Sequence, residues 1–323
     1  MNIVDTLRVS VTDRCNLRCI YCMPPEGIAI KHCSDILRFE DIERISRVAV
    51  GEGVKKIRLT GGEPLTRRNV EALVSMLARI DNLEDLAMTT NGVLLGEKAS
   101  VIKDAGLKRV TVSLDTLKSE RYKSITRGSD LSLALAGIET ARKHGLEPLK
   151  INVVTMRDIN DDEAVDFAKW AVRENLEVRF IELMPISAID GVLCSSRSGD
   201  AMVPSAETKA AIEREFGTLE PAPTNPHAPA RLFALPGGKG KVGFISAVTE
   251  PFCRGCSRMR LTADGKLRGC LFSAVETDVM GPIKRGASDE EILALYRKAV
   301  ELKPKRTSPN FSDNKRWMAQ IGG

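Results

Sequence analysis

Six of the eight cysteines in this 323-residue chain fall into two tight groups, and each group has the donor chemistry of a metal centre. Cys15, Cys19 and Cys22 are spaced C-x3-C-x2-C within DRCNLRCIYC. Cys253, Cys256 and Cys270 are spaced C-x2-C-x13-C within FCRGCSRMRLTADGKLRGC. In a reducing compartment, clustered thiols are more often metal ligands or catalytic groups than disulfides. Structural zinc takes four protein ligands. Three local thiolates match a four-iron, four-sulfur cluster in which one iron lacks a protein ligand and can bind a cofactor or substrate. Zinc completed by a distant side chain is the alternative, with His32 for the first group and Cys194, His227 or His32 for the second. Cys33 and Cys194 stand outside both groups.

The second kind of chemistry is cationic. Arg258 and Arg260 are two apart, so on a strand they share a face beside the second cysteine pair. With Arg8, Arg58, Lys150 and Arg179 they form a set suited to phosphate, which guanidinium groups bind by paired hydrogen bonds.

These residues need strands to position them. Period-two patterns predict strands at 7–11, 56–60, 85–90, 109–114, 149–156 and 177–184. Helical patterns lie between them. Ile42, Ile45, Val48 and Ala49 share one face, as do Ala164, Val165, Ala168 and Val172 after the cap candidates Asn160 and Asp161. Strand–helix alternation argues for a parallel sheet covered by helices. Such a sheet, buried on both sides, is apolar on both faces. Here one face is repeatedly polar: Arg8 and Ser10, Arg58 and Thr60, Thr111 and Ser113, Lys150 and Asn152. A curved, barrel-like sheet with a polar lumen resolves this. Cys15 follows the first strand, at the carboxyl end of the sheet where α/β sites form. The Pro-rich stretch 220–231 reads as a linker or boundary. Beyond it lie shorter strand patterns, a hairpin turn at 263–266 and a helix near 288–301.

Composition narrows the class further. An apolar fraction of 43% and a charged fraction of 28% are globular, not disordered. A net charge of +5 suits an anionic ligand and falls short of a nucleic-acid-binding surface. No apolar run is long enough to span a membrane, and the N-terminus lacks a secretory signal core, so the expected compartment is the cytoplasm.

The cysteine loop with Tyr21, followed by Gly61-Gly62-Glu63-Pro64 at the end of the next strand, resembles the radical S-adenosyl-L-methionine (SAM) superfamily. Two adjacent glycines let backbone approach closely without a Cβ in the way. Nearly the full length is similar to the GTP 3′,8-cyclase family of molybdenum cofactor biosynthesis within that superfamily. The carrying segments include SVTDRCNLRCIYCMP (10–24), KKIRLTGGEPL (55–65), TTNG (89–92), VSLDTL (112–117), RFIELMP (179–185), PFCRGCSRMRLTADGKLRGCLF (251–272) and the terminal QIGG (320–323).

The resemblance implies an α/β fold. It would be a partial (β/α)6 TIM-type barrel over 1–220, its mouth closed by a smaller hairpin-rich region, 221–323. It implies two 4Fe-4S clusters, on Cys15, Cys19 and Cys22 and on Cys253, Cys256 and Cys270, with SAM as cofactor against Tyr21, Gly62, Ser113 and Met184. GTP would meet Arg8, Arg58, Thr89, Lys150, Arg179, Arg258, Met259 and Arg260. Catalytic roles fall to Arg258, Arg260, Gly322 and Gly323, the last two as a tail reaching into the site. A deoxyadenosyl radical would abstract the ribose 3′ hydrogen, and the carbon radical would add to guanine carbon 8. Implied partners are a second copy in a homodimer, a low-potential electron donor and a downstream cyclic pyranopterin monophosphate synthase. The chain departs from the family pattern at 185–203, with Cys194, at Cys33, and at Thr111, where Asn is expected. Two other classes share some of these features. A radical SAM peptide-modifying enzyme carries more C-terminal cysteines, and an iron–sulfur electron carrier or sensor needs neither GGEP nor a cationic lumen.

Overall fold

The computed structural model describes residues 4–186, 201–225, 227–304 and 316–322. The first half alternates β1 (Thr6–Ser10), α1 (Phe39–Gly51), β2 (Lys56–Thr60), α2 (Val70–Ala78), β3 (Asp85–Thr90), α3 (Leu95–Asp104) and β4 (Arg109–Ser113). Then come α4 (Ser119–Thr126), α5 (Leu131–Lys143), β5 (Lys150–Thr155), α6 (Ala164–Glu174), β6 (Glu177–Glu182) and α7 (Ser205–Phe216). The remainder supplies β7 (Glu220–Pro221), β8 (Arg231–Ala234), β9 (Lys241–Ile245), β10 (Arg258–Leu261), β11 (Lys266–Arg268) and β12 (Thr277–Asp278). It ends with α8 (Met280–Lys284), α9 (Asp289–Glu301) and α10 (Met318–Ile321). All six strands expected from the period-two pattern form, within two residues at each boundary.

One open sheet contains every described strand, in the order β12-β11-β10-β1-β2-β3-β4-β5-β6-β9-β8-β7. β1 to β6 pair in parallel and in sequence order, as right-handed strand–helix units require. The shorter strands beyond residue 220 do not stand apart. β10 pairs in parallel with β1 and β9 in parallel with β6, so both edges of the barrel are extended by the end of the chain. β11 and β10 form the antiparallel hairpin expected around 263–266. Among the described residues the sheet does not close a cylinder. It makes the partial barrel with outer helices that the resemblance implies, with the polar inner face that the strand parity predicts.

Alternation along each strand explains why the wall has two natures. Leu7 and Val9, Ile57 and Leu59, Val110 and Val112, Ile151 and Val153 are buried in the main core beneath the helices. Each such side chain contributes roughly 1.5–3 kcal/mol of burial. On α1, Ile42, Ile45 and Ala49 face this core, as the sequence predicts. On α6 the buried residues are Ala164, Phe167, Ala168, Trp170 and Ala171, while Val165 and Val172 are only half-buried. Phe167 is what moves the stripe: its ring packs edge-on against Phe180 at 6.2 Å. Asn160 is a brace rather than a helix cap. Its amide donates to the Asp115 and Val154 carbonyls at 2.7 and 2.8 Å, and its Oδ1 accepts from Met156 N–H at 2.7 Å. It therefore ties the end of β5 to the loop after β4.

Candidate active site

The inner face of the barrel surrounds a cavity of about 530 Å³. Arg8, Arg58, Thr89, Lys150, Arg179, Arg258 and Arg260 line it, together with Met184 and all three cysteines of the second group. Register explains the convergence. Arg8 lies directly between Arg260 and Arg58 on the two adjacent strands. Adjacent strands run about 4.8 Å apart, so three guanidinium groups start from neighbouring positions. Burial, then Arg260, Arg58 and Arg258, hold the Arg8 guanidinium well below its ordinary range. Burial, then Arg109 and Arg179, push Arg58 down to about 9. Like charges packed this closely are stabilised by an anion between them.

Cationic groups elsewhere in the lumen are held by carboxylates. Glu177 accepts from Arg179 Nε at 2.5 Å and lies 3.1 Å from Lys150 Nζ. Asp85 accepts from Arg109 Nε at 3.0 Å. Arg58 donates to Thr111 Oγ1 at 2.9 Å. Sequence reading missed Asp85, Arg109 and Glu177, although the parity that selects Arg179 also selects Glu177. Pro223, Thr224, Asn225 and His227 of the Pro-rich stretch also line the cavity, so this segment forms part of the wall. The Met259 side chain does not reach the lumen. It is fully buried in the core on the opposite face of β10.

The first cysteine group follows β1 at the carboxyl end of the sheet. Its base is a backbone zipper in which Gly62 N–H donates to Thr12 O at 2.9 Å and Glu63 N–H donates to Arg14 O at 2.8 Å. The zipper needs glycine, because a Cβ on Gly62 would meet Arg14 O at 2.3 Å. The GGEP glycines therefore serve close packing of two backbone segments, a role that the sequence motif alone did not specify. Glu63 is fully buried and accepts from Asn91 N–H at 2.7 Å, Thr90 Oγ1 at 2.8 Å and Leu65 N–H at 3.0 Å. The cysteine loop is pinned by Arg127, which donates to the Met23 and Arg18 carbonyls at 2.8 and 2.9 Å. Ser113 ends β4 just before Asp115, which accepts from the Tyr21 hydroxyl at 2.8 Å.

Both groups have the chemistry of cluster ligands. Burial, followed by Asp115, Cys22 and Cys15, pushes the Cys19 thiol far above its ordinary value. Three thiols crowd one another here, and a cationic iron cluster would relieve the repulsion between their thiolates. In the second group Cys253 is likewise raised by burial, then by Cys270 and Cys256. Burial also raises Cys256, but Arg258 and Lys303 outweigh it and bring the thiol down to about 6. Among the described residues no three His, Cys, Asp or Glu side chains close around a single ion. A cubane does not need that convergence, since it spreads three thiolates over three irons. His227, weighed as a zinc ligand, has Nδ1 at 3.0 Å from the Gly255 carbonyl. His32 is exposed, with Nδ1 2.8 Å from Ser34 Oγ.

The described C-terminal tail borders the same lumen, where Met318 forms part of the lining. Gly322 O accepts from Arg260 Nη1 and, at 3.4 Å, from Arg8 Nε. Gly322 has φ +66, and a Cβ there would lie 2.7 Å from Thr60 Cγ2. Gly323, Cys194 and the 187–200 part of the divergent loop lie outside the described residues.

Residues 9–171 match the family model of the radical SAM superfamily, and residues 176–309 match the one described as Molybdenum Cofactor Synthesis C. Among solved structures the fold is similar to Streptococcus suis SuiB bound to precursor peptide SuiA. The TM-score is 0.61 at 14% identity, over 87% of this chain and 63% of that chain. Fold and cysteine loop thus define a radical SAM protein. The chain is also 50% identical to a GTP 3′,8-cyclase of Moorella thermoacetica, over 99% of this chain and 98% of the relative. It is 48% identical, with the same coverage, to a GTP 3′,8-cyclase of Pelotomaculum thermopropionicum. The chain belongs to the GTP 3′,8-cyclase family.

Proposed function

We infer that this chain is a radical SAM GTP 3′,8-cyclase of molybdenum cofactor biosynthesis, using two 4Fe-4S clusters and SAM. The observation that carries the substrate side is the row Arg260, Arg8 and Arg58 on three adjacent strands facing one lumen. When bound, the clusters and SAM would supply a deoxyadenosyl radical able to take the 3′ hydrogen of GTP; joining carbon 3′ to carbon 8 would then take up one electron from the low-potential donor and one proton to give 3′,8-cyclo-7,8-dihydro-GTP.

The protein's own contribution is placement. Cys15, Cys19 and Cys22 would hold the SAM cluster, with Tyr21, Gly62, Ser113 and Met184 around the cofactor. Cys253, Cys256 and Cys270 would hold the second cluster in the cavity wall, facing the guanine. Arg8, Arg58, Lys150 and Arg179 would bind the triphosphate, remote from the reacting carbon, so that binding energy fixes the ribose. Thr89 and the backbone at Met259 would complete the substrate contacts. Arg258, Arg260, Gly322 and Gly323 would meet the reacting end, with the tail excluding water. Residues 1–220 would form the barrel unit and 221–323 the unit carrying the second cluster.

A homodimer, a low-potential electron donor, a downstream cyclic pyranopterin monophosphate synthase and a cytoplasmic site of action accord with this reading. No described helix is long and apolar enough to cross a membrane. The deciding assay is anaerobic: reconstituted protein, SAM, dithionite and GTP together release deoxyadenosine and a cyclised nucleotide. Deoxyadenosine only in the presence of a peptide would show a peptide-modifying enzyme instead, and none under any condition would leave an electron carrier.

A further inference from the structure

Lys303 follows α9, far in sequence from either cysteine group, yet it is only 8% exposed and lies in the cavity wall. Its ammonium has three hydrogens and, among the described residues, three acceptors. It donates to Cys256 Sγ at 3.5 Å, to Arg258 O at 2.8 Å and to Gly269 O at 2.8 Å. The two carbonyls flank the second cysteine group. Arg258 opens β10 just after Cys256, and Gly269 stands between β11 and Cys270. Room for the lysine is built in. A Cβ on Gly269 would come within 2.8 Å of Lys303 Cα and 2.9 Å of its Cβ.

A buried ammonium is costly to desolvate unless it is fully hydrogen-bonded. An apolar side chain of similar length would fill the same space without that cost. Charge at this place therefore needs a reason, and among the described residues the sulfur it meets belongs to a cysteine of the second group. Hydrogen bonds and positive charge next to a cluster thiolate favour the more negative, reduced form and raise the reduction potential.

We propose that Lys303 is a positioning residue of the second centre: it locks the two strand ends carrying Cys256 and Cys270, and its charge raises that centre's reduction potential. The proposal rests on the reading that these thiolates hold an iron–sulfur cluster. It concerns tuning of the cluster and not its existence.

The test uses full-length protein, reconstituted anaerobically, in which Cys15, Cys19 and Cys22 are replaced by Ser so that only the second centre is read. Iron and sulfide are counted, and the centre is titrated by electron paramagnetic resonance. Lys303→Gln lowers its reduction equilibrium by at least about tenfold, a shift of ~59 mV to more negative potential. Lys303→Arg restores it to within a small fraction of that shift. Gly269→Ala, which pushes Lys303 away while leaving its charge in the chain, reproduces the Gln shift and keeps the proposal testable if Lys303→Gln does not load. In the converse background, with Cys253, Cys256 and Cys270 replaced, Lys303→Gln leaves the first centre where it was. A loaded Lys303→Gln or Gly269→Ala protein with an unmoved potential overturns the proposal alone. A centre that takes up no iron even with Lys303 present overturns the cluster reading and the proposal with it.

Discussion

The Tyr21 hydroxyl donates to Asp115 Oδ2 at 2.8 Å, linking the first cysteine loop to the segment that follows β4. The other Asp115 oxygen accepts from Val154 N–H at 2.8 Å, and Asn160 holds its carbonyl. One buried carboxylate thus fastens the loop between Cys19 and Cys22 to two barrel strands. A hydrogen bond to a charged acceptor is worth about 1.5–3 kcal/mol. Tyr21→Phe therefore loosens the loop without unfolding the barrel. Chelator challenge is expected to strip iron from the first centre several times faster than in the unmodified protein, with the second centre and the melting temperature nearly unchanged. Equal loss from both centres would contradict this.

The row Arg260, Arg8 and Arg58 packs three like charges side by side on adjacent strands. Arg58→Met removes one of three crowded charges along with hydrogen bonds to Thr111 and Thr89. GTP affinity is expected to fall roughly ten- to hundredfold, the worth of one charge-assisted contact. The melting temperature of the ligand-free protein is expected to stay level or rise, since repulsion is relieved. Isothermal titration and differential scanning fluorimetry on the same sample check both halves.

Lys150 gives a pH signature. Burial and Arg179 bring its ammonium down to about 8, despite the neighbouring Glu177. The group is charged below that value and neutral above it. Affinity for the GTP triphosphate, fully ionised through this range, is expected to be flat below pH 8 and to decline between about pH 8 and 10. Lys150→Arg, whose guanidinium is intrinsically the more basic group, moves the onset of the decline to higher pH. A decline whose onset is unmoved in the arginine variant assigns it to another group.

Gly322 tests the tail. Its φ of +66, and the 2.7 Å that would separate a Cβ there from Thr60 Cγ2, leave no place for alanine. Gly322→Ala displaces the carbonyl that Arg260 and Arg8 hold. Turnover is expected to fall at least about tenfold, matching the 1–2 kcal/mol of left-handed strain plus lost contacts. Iron content and GTP affinity change less than twofold. A proportionate loss of iron would place the tail's importance in folding rather than in the lumen.

Much of this arrangement is legible in the residues themselves. Strand parity alone separates Leu7 and Val9 from Arg8, and it places Arg58, Thr111 and Asn152 on the lumen side. Cysteine spacing picks out the two groups proposed as cluster ligands. What the chain hides is long-range pairing. Nothing local in RMRL announces that β10 lies beside β1, or in KVGFI that β9 lies beside β6. Lys303 carries no motif because its three partners are set by tertiary packing. Asn160 looks like a cap, since its type fits one, and only its burial between two strands makes it a brace.

The pairing of β10 with β1 joins two segments far apart in the chain, Thr6 to Val9 and Arg258 to Leu261, with β1 made well before β10. During synthesis β1 can find β2 early, but its other side waits as an open hydrogen-bonding edge until the far segment emerges. An edge left open that long invites association with other nascent chains. Maturation thereby acquires an order: the N-terminal thiols are in place well before the C-terminal ones, and a truncated transcript yields a protein that exposes a sticky seam instead of a smaller working enzyme.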